Sequence, residues 1–361
     1  MITVLGEAFI ALVPTSDETV VRALPEGSAL TIAVSASGLG YPTALMARLS
    51  RDPFGRLLRR HAVRNGVDLS AAPDAEEPST IAVVAHGASE DSRASLYLSG
   101  TADWQWSSAE LAWIPSATTV LHVGSLVCCV APGATHVLRA VARLRKGGAV
   151  VCLGLNARPD VMGTPGRGRL LMERPIRSAT VIRASLADIA WLYPGRAPEA
   201  VAEDWLALGP DLVVITCGPR SVMAVRGSGS VLHRPAYPVD AADTAGAADA
   251  FTAALVGGLH QLRHAGADVG SLPGRDLAEL IDTASLVAGM TCERAGASPP
   301  TAAELRQRRQ SHSWPAIPVP AAGNRVHAGA GGSQWLGSAV GVQPGAGDHA
   351  LPGAALRDAG L

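Results

Sequence analysis

From Thr119 onward, short continuous apolar runs alternate with segments of helical periodicity: TVLHVGSLV, then HVLRAVARLR, AVVCLGLN, LVVITCG and AGAADAFTAALVGGL. Strands that are apolar throughout are buried on both faces. Their alternation with amphipathic helices predicts a mostly parallel sheet covered by helices on both sides. Ahead of this region, residues 2–5 closed by Gly6 predict a first strand. Between Ser79 and Ser99 two further β-prone runs, TIAVVA and LYL, flank a polar GASEDS turn. Residues 201–209 (VAEDWLALG) predict a helix stopped by Gly209 and Pro210. The periodicity ends near residue 310. Residues 311–361 are rich in Gly, Ala and Pro and are expected to form a disordered tail after a domain at 1–310.

Charge and composition narrow the function. Thirty basic residues face 31 acidic ones, a net of −1, without the basic excess of a nucleic-acid binder or a polybasic membrane sensor. No apolar run is long enough to cross a membrane, and the amino-terminal stretch carries Glu7 and no basic region, so a soluble cytoplasmic protein is expected. Five cysteines without C-x-x-C spacing read as buried structural thiols rather than a zinc or redox site. Lys146 is the only lysine and is followed by glycine, which excludes a Walker A loop and the strand lysine of protein kinases. Any phosphate handled here must be held by backbone amides and arginines.

The segment Asp243-Thr244-Ala245-Gly246-Ala247-Ala248-Asp249-Ala250-Phe251 meets that need. Phe251, Leu255 and Leu259 repeat at helical spacing beyond it, so a turn of small residues feeds a helix. Amides at such a start, aligned with the positive end of the helix dipole, bind an anion, and Asp249 lies in the first turn beside it. Read by itself, the same pattern fits a helix merely capped by Asp243, Thr244 or Asp249.

The segment resembles the D-T-x-G-A-G-D-x-F signature of the ribokinase-like (phosphofructokinase-B) family of sugar kinases, closest in motif order to bacterial fructokinase-like members. Other landmarks follow in the family's order across about residues 2–305: Asp52-Pro53-Phe54-Gly55 with Gly66-Val67-Asp68, Gly100-Thr101-Ala102-Asp103-Trp104, His122-Val123-Gly124-Ser125, Asn156-Ala157-Arg158-Pro159, Ser185-Leu186-Ala187-Asp188, Thr216-Cys217-Gly218 and Cys292-Glu293-Arg294-Ala295-Gly296-Ala297. The resemblance implies a three-layer α/β sandwich with a small β-lid from about 10–36 and 79–104, and a homodimer formed through that lid. It implies ATP-dependent phosphorylation of a small sugar or polyol, with Asp249 as base and an anion hole at Gly246, Ala247 and Ala248. The nucleotide would lie against Thr216, Gly218, Asn156, Gly296 and Ala297. Asp188 and Asp243 would serve magnesium, with potassium as a further ion.

Departures from the family pattern concentrate on the acceptor side. Ala11 stands where the family has an aspartate that binds two sugar hydroxyls. The G-G-x-x-x-N sugar loop reads Glu26-Gly27-Ser28-Ala29-Leu30-Thr31, leaving Gly27 and Thr31 as the substrate-side positions. Ala248 replaces the second glycine of G-A-G-D, where a methyl would crowd the phosphate or strain the backbone. Gly154 replaces a strand-end aspartate and Ser221 a nucleotide-loop glycine. Two readings stay open: a kinase retuned to an unusual acceptor, and a pseudokinase that binds a nucleotide or small ligand without turnover. Elsewhere, His260 and His264 at i, i+4 read as a solvent-facing pair, and Trp104 and Trp106 sit on an expected lid strand, available to a sugar ring or to packing.

Overall fold

The apolar runs become adjacent strands of one eight-stranded sheet in the computed structural model, which describes residues 1–17, 19–84, 95–227, 229–296 and 298–311. From edge to edge the strands are Val231–Pro235, Ser221–Arg226, Leu212–Thr216, Val181–Ser185, Val150–Gly154, Val120–Gly124, Ile2–Leu5 and Thr43–Met46. The six from Leu212–Thr216 to Thr43–Met46 are parallel, and the last two in chain order fold back as antiparallel neighbours. Side-chain alternation along each strand divides the interior in two. Ile2, Val4, Val120, Val150, Cys152, Val181, Leu212 and Val214 pack with the helices Ser28–Gly38, Ala247–His264 and Gly274–Cys292. Leu5, Leu121, Val123, Val151, Leu153, Ile182, Val213 and Ile215 pack on the other face with Ala134–Lys146, Pro165–Arg177 and Pro198–Ala207. The result is the expected three-layer arrangement.

A second, four-stranded sheet runs in the order Val21–Glu26, Phe9–Pro14, Ile81–Val83, Ser95–Tyr97. This is the lid, with narrower limits than the sequence suggested. Its first hairpin ends at Glu26; Gly27 caps the helix Ser28–Gly38, so residues 28–36 are helical and belong to the main body. Two more expectations change. Trp104 closes a short 3-10 helix, Ala102–Trp104, instead of standing on a lid strand, and Trp104 and Trp106 are both buried in the second core. His260 does not face solvent. Its helix packs on Gly274–Cys292 and the sheet, and its Nδ1 shares a 2.7 Å hydrogen bond with the Thr119 hydroxyl. Burial and the neighbouring cationic groups push it down to about 4, while His264 packs edge-on against its ring.

The helix 201–209 appears as Pro198–Ala207. All five cysteines are free thiols, with Cys128 and Cys152 buried and the other three partly so. Among the described residues no helix is long and apolar enough to cross a membrane. The last described helix, Ala302–Ser311, takes in the first residue of the tail expected at 311–361; the rest of that tail, the GASEDS turn and the site role of Ala297 lie outside the described residues.

Candidate active site

In open α/β sheets, ligands bind beyond the carboxyl ends of the parallel strands, and the candidate site lies there. A cavity of about 300 Å³ is bounded by the strand ends Gly154 and Ser185, the lid residues Phe9 and Leu96, and the helix start at Ala248 and Asp249. Three side-chain positions on one sheet face build its floor: His122, Gly154 and Arg183 follow Val120, Cys152 and Val181 at a spacing of two. The helix Ala247–His264 covers that face, with Phe251 5.9 Å from the Arg183 guanidinium.

The helix start has the form the sequence predicted. Gly246 occupies the N-cap at φ 71°, a left-handed backbone that favours glycine, and Ala247 opens an 18-residue helix. Ala248 is therefore already helical, a conformation in which alanine is unstrained. The positive φ that the family's glycines invite is met at Gly246, and Ala248 lines the cavity without backbone strain.

Asp249 projects from that first turn and accepts a 2.6 Å hydrogen bond from the Ser28 hydroxyl. Burial pushes its carboxyl up to about 6, while the Ser28 hydrogen bond and the Arg183 charge pull the other way. Such a group is ionised at neutral pH and basic enough to take a proton. Arg183 is itself buried and donates to the Thr216 hydroxyl at 3.0 Å, which ties the cavity to the expected nucleotide loop.

The other expected site residues divide by position. Asn156 lines the cavity, its backbone held by Ser125: Asn156 N donates to Ser125 Oγ at 3.2 Å. Asp188 also lines it, and is buried rather than solvated. Its carboxylate accepts from Ala157 N at 2.7 Å, Ser185 N at 2.7 Å and the Ser185 hydroxyl at 2.6 Å, as a capping box. Gly27 lines the cavity, whereas Ala11 and Thr31 do not. Ala11 pairs with Leu24 and Ala82 inside the lid sheet, and Thr31 lies in the first turn of its helix, where its carbonyl accepts from the Ser35 hydroxyl. Thr216, Gly218 and Gly296 lie outside this cavity, the two glycines in turns with φ 62° and 67°. Asp243 is likewise outside it: its oxygens accept from Ala245 N and Gly296 N, both at 2.9 Å, which binds the turn before Gly246 to the late loop. Neither Asp188 nor Asp243 belongs to a cluster of three or more metal-ligating side chains among the described residues.

Sequence reasoning gave no role to three groups that the fold places in the cavity wall, Glu7 and His122, or beside it, Asp103. Glu7 follows the first strand, is only 3% exposed, and lines the cavity with an Oε2 that has no hydrogen-bond partner. Burial, together with Asp103 and Asp249, pushes it up to about 7. Asp103 is as deeply buried; it accepts from Ala8 N at 2.9 Å and is also pushed up to about 7 by burial. His122 lies over Gly154 and is held at about 3 by burial and the Arg183 charge. The glycine at 154 is explained by that contact: a Cβ there would come within 2.7 Å of His122 Cε1 and 3.1 Å of Nε2. Because His122 is buried and cannot simply swing away, Gly154→Ala should cost about 1–3 kcal/mol by overpacking. A lowered melting temperature checks this, and an unchanged one would mean the ring has room to move.

The family model for pfkB family carbohydrate kinases matches residues 1–304 of this chain. The chain belongs to that family. Its similarity to individual members is moderate and extends over most of their length. A fructokinase of Klebsiella pneumoniae is 28% identical over 260 residues, which is 72% of this chain and 84% of that protein. The crystal structure of a Pyrococcus horikoshii sugar kinase in complex with ATP is 25% identical and superimposes with a TM-score of 0.70, covering 85% of this chain and 97% of that one. A Vibrio cholerae fructokinase double mutant with fructose, ADP and potassium bound shares the fold at 22% identity and a TM-score of 0.74, over 85% and 97% of the two chains. In this carbohydrate kinase the helix start at Gly246, the carboxylate of Asp249 and the cavity between lid and sheet therefore occur within a family fold that spans nearly the whole described chain.

Proposed function

We propose that this kinase transfers the γ-phosphoryl group of ATP to a hydroxyl of a small sugar or sugar-like alcohol, with Asp249 as general base. The observation that carries this is the position of Asp249: a carboxylate in the cavity wall, one residue past Ala248, which lines the same cavity, in the first turn of the helix Ala247–His264. The acceptor hydroxyl gives its proton to Asp249 as its oxygen bonds to the γ-phosphorus, and the bond to the β-phosphate oxygen breaks to release ADP. Ser28 fixes the rotamer of the carboxylate through the 2.6 Å hydrogen bond. Of the three amides expected to form the anion hole, Ala247 N donates to Thr244 O at 3.3 Å, and those of Gly246 and Ala248 are left to take up negative charge on the transferring group, so that positioning and electrostatics provide most of the rate. Magnesium, when bound with the nucleotide, neutralises charge on the phosphate oxygens. Asp188, with three of its roughly four acceptor positions already filled, fits contact through the ion's water shell, and Asn156 adjoins it in the cavity.

The helical backbone at Ala248 supports turnover over the pseudokinase reading, because the alanine disturbs no strained conformation on which the anion hole depends. The decisive experiment is a coupled ADP-release screen across sugars, polyols, nucleosides and cyclitols with magnesium and potassium present. Acceptor-dependent ADP release supports the reading; its absence across the screen, with nucleotide binding intact, favours the pseudokinase. Nucleotide binding has its own check. Mg-ATP at about 100 times its dissociation constant should stabilise the native state by ~2.7 kcal/mol and raise the melting temperature by several degrees. No shift at millimolar ATP would count against both readings.

A further inference from the structure

Phosphoryl transfer in this cavity needs more positive charge than the helix start supplies. A transferring phosphoryl group spreads negative charge over its oxygens, and the walls already hold the carboxyl groups of Glu7, Glu26, Asp188 and Asp249. Of the amides at the helix start, that of Ala247 is engaged by Thr244 O. The chain's only lysine, Lys146, ends the helix Ala134–Lys146 and does not line the cavity. His122, held at about 3, carries no charge at neutral pH. Two cationic side chains remain in the wall, Arg158 and Arg183.

The two differ in what holds them. Arg183 is buried, donates to the Thr216 hydroxyl at 3.0 Å, and has Asp188 and Asp249 as charged neighbours. Its guanidinium is part of the floor. Arg158 is half-buried, and its side chain makes no hydrogen bond, ion pair or ring contact among the described residues. Its backbone, by contrast, is fixed on both sides. Asp188 accepts from Ala157 N at 2.7 Å. Arg158 O accepts from Val161 N at 3.0 Å and Met162 N at 2.8 Å, which starts the short helix Pro159–Met162. A rigid anchor with an uncommitted planar donor suits a residue that meets a ligand, not one that holds the fold.

We infer that Arg158 is a catalytic residue of this kinase, its guanidinium closing on the oxygens of the γ-phosphoryl group as that group passes to the acceptor hydroxyl at Asp249. The fork of donors matches two phosphoryl oxygens at once, a geometry that an ammonium group does not reproduce. No bond to the guanidinium forms or breaks, and it stays protonated throughout. The proton of the acceptor hydroxyl goes to Asp249 as above, so this inference deepens the proposed function and rests on it. An anionic group on the acceptor could also engage a free arginine. That arrangement would leave nucleotide affinity untouched, which separates it from the γ-phosphoryl contact.

Calorimetry on the full chain with magnesium tests this by comparing ADP with a non-hydrolysable ATP analogue. Arg158→Met should weaken the analogue about tenfold or more and change ADP by less than about threefold, since only the analogue carries a γ-phosphoryl group. Arg158→Lys keeps the charge without the fork and should fall between. With no internal partner to lose, both variants should melt within about two degrees of the wild type. With an acceptor that supports ADP release, Arg158→Met should lower kcat about 100-fold or more and leave the acceptor KM within about threefold. Equal weakening of ADP and the analogue, unchanged affinity for both, or a loss confined to the acceptor KM would overturn the inference. So would a large drop in melting temperature in both variants, which would make Arg158 a structural residue. Turnover that survives Arg158→Met would sink it while leaving the kinase reading intact. Selective loss of analogue binding in Arg158→Met, with no ADP release by the wild-type chain, would uphold the γ-phosphoryl contact and sink the kinase reading.

Discussion

Asp249→Asn should lower turnover by about 100-fold or more while leaving nucleotide affinity nearly unchanged. The amide preserves the size of the side chain, and its oxygen can still accept from Ser28, but it cannot take a proton from an attacking hydroxyl. The nucleotide contacts implied at Thr216, Gly218 and Gly296 lie outside the cavity that Asp249 lines, so binding of Mg-ATP reads the two effects separately. Stability supplies a control. Burial holds Asp249 at about 6, above the 3.8 of an unperturbed carboxyl, so its ionised form is disfavoured in the folded protein. The folded state binds the proton more tightly than the unfolded one. The resulting penalty is absent below about pH 4 and complete above about pH 6. Removing the charge should therefore raise the melting temperature at pH 8 and leave it little changed at pH 4. A variant that is inactive and melts lower at pH 8 has lost its structure rather than its base. Unchanged turnover with correct folding would remove Asp249 from the mechanism.

The elements that were legible in the sequence are those whose chemistry is local. The start of Ala247–His264 could be read because a small-residue turn, an acidic residue and an apolar stripe all fall within one stretch. The central strands were legible because burial on both faces leaves a continuous apolar run. What the sequence hid depends on contacts across the fold. Glu7 looks like an ordinary charged residue after a strand, and its burial comes only with the fold, which brings Gly27 and the strand end at Gly124 against it. Gly154 reads as a lost aspartate until His122, 32 positions earlier, is seen to occupy the space above it. Arg183 interrupts an apolar strand; that interruption was a usable signal, since a buried cation needs partners, here Thr216 and the carboxylates Asp188 and Asp249. His260 misled for the opposite reason. The i, i+4 spacing showed that it shares a helix face with His264, but not that the face is buried against Thr119. The lid boundary was overrun because Glu26-Gly27-Ser28 belongs to one loop motif while Gly27 is physically the N-cap that separates strand from helix.

The pH dependence of catalysis should show a single acid limb near 6. A general base works only when ionised, and Asp249 is the base held at about 6. At saturating ATP, kcat/KM for the acceptor should fall about tenfold per unit below that value and level off above it. The limb should move in a direction set by the neighbours of the carboxylate. Ser28 donates to the ionised form, so Ser28→Ala removes a stabilising hydrogen bond and should shift the limb up by about one unit. Arg183 also lowers the value, so Arg183→Met should shift it upward too, at some cost to folding because the guanidinium is buried and holds Thr216. Two upward shifts from chemically different substitutions would tie the limb to one carboxylate. If the limb stays at 6 in both variants, the titrating group is another residue, and Glu7, pushed up to about 7 in the same cavity, is then the group to substitute. A profile flat from pH 5 to 8 would mean that no carboxylate in the cavity acts as the base.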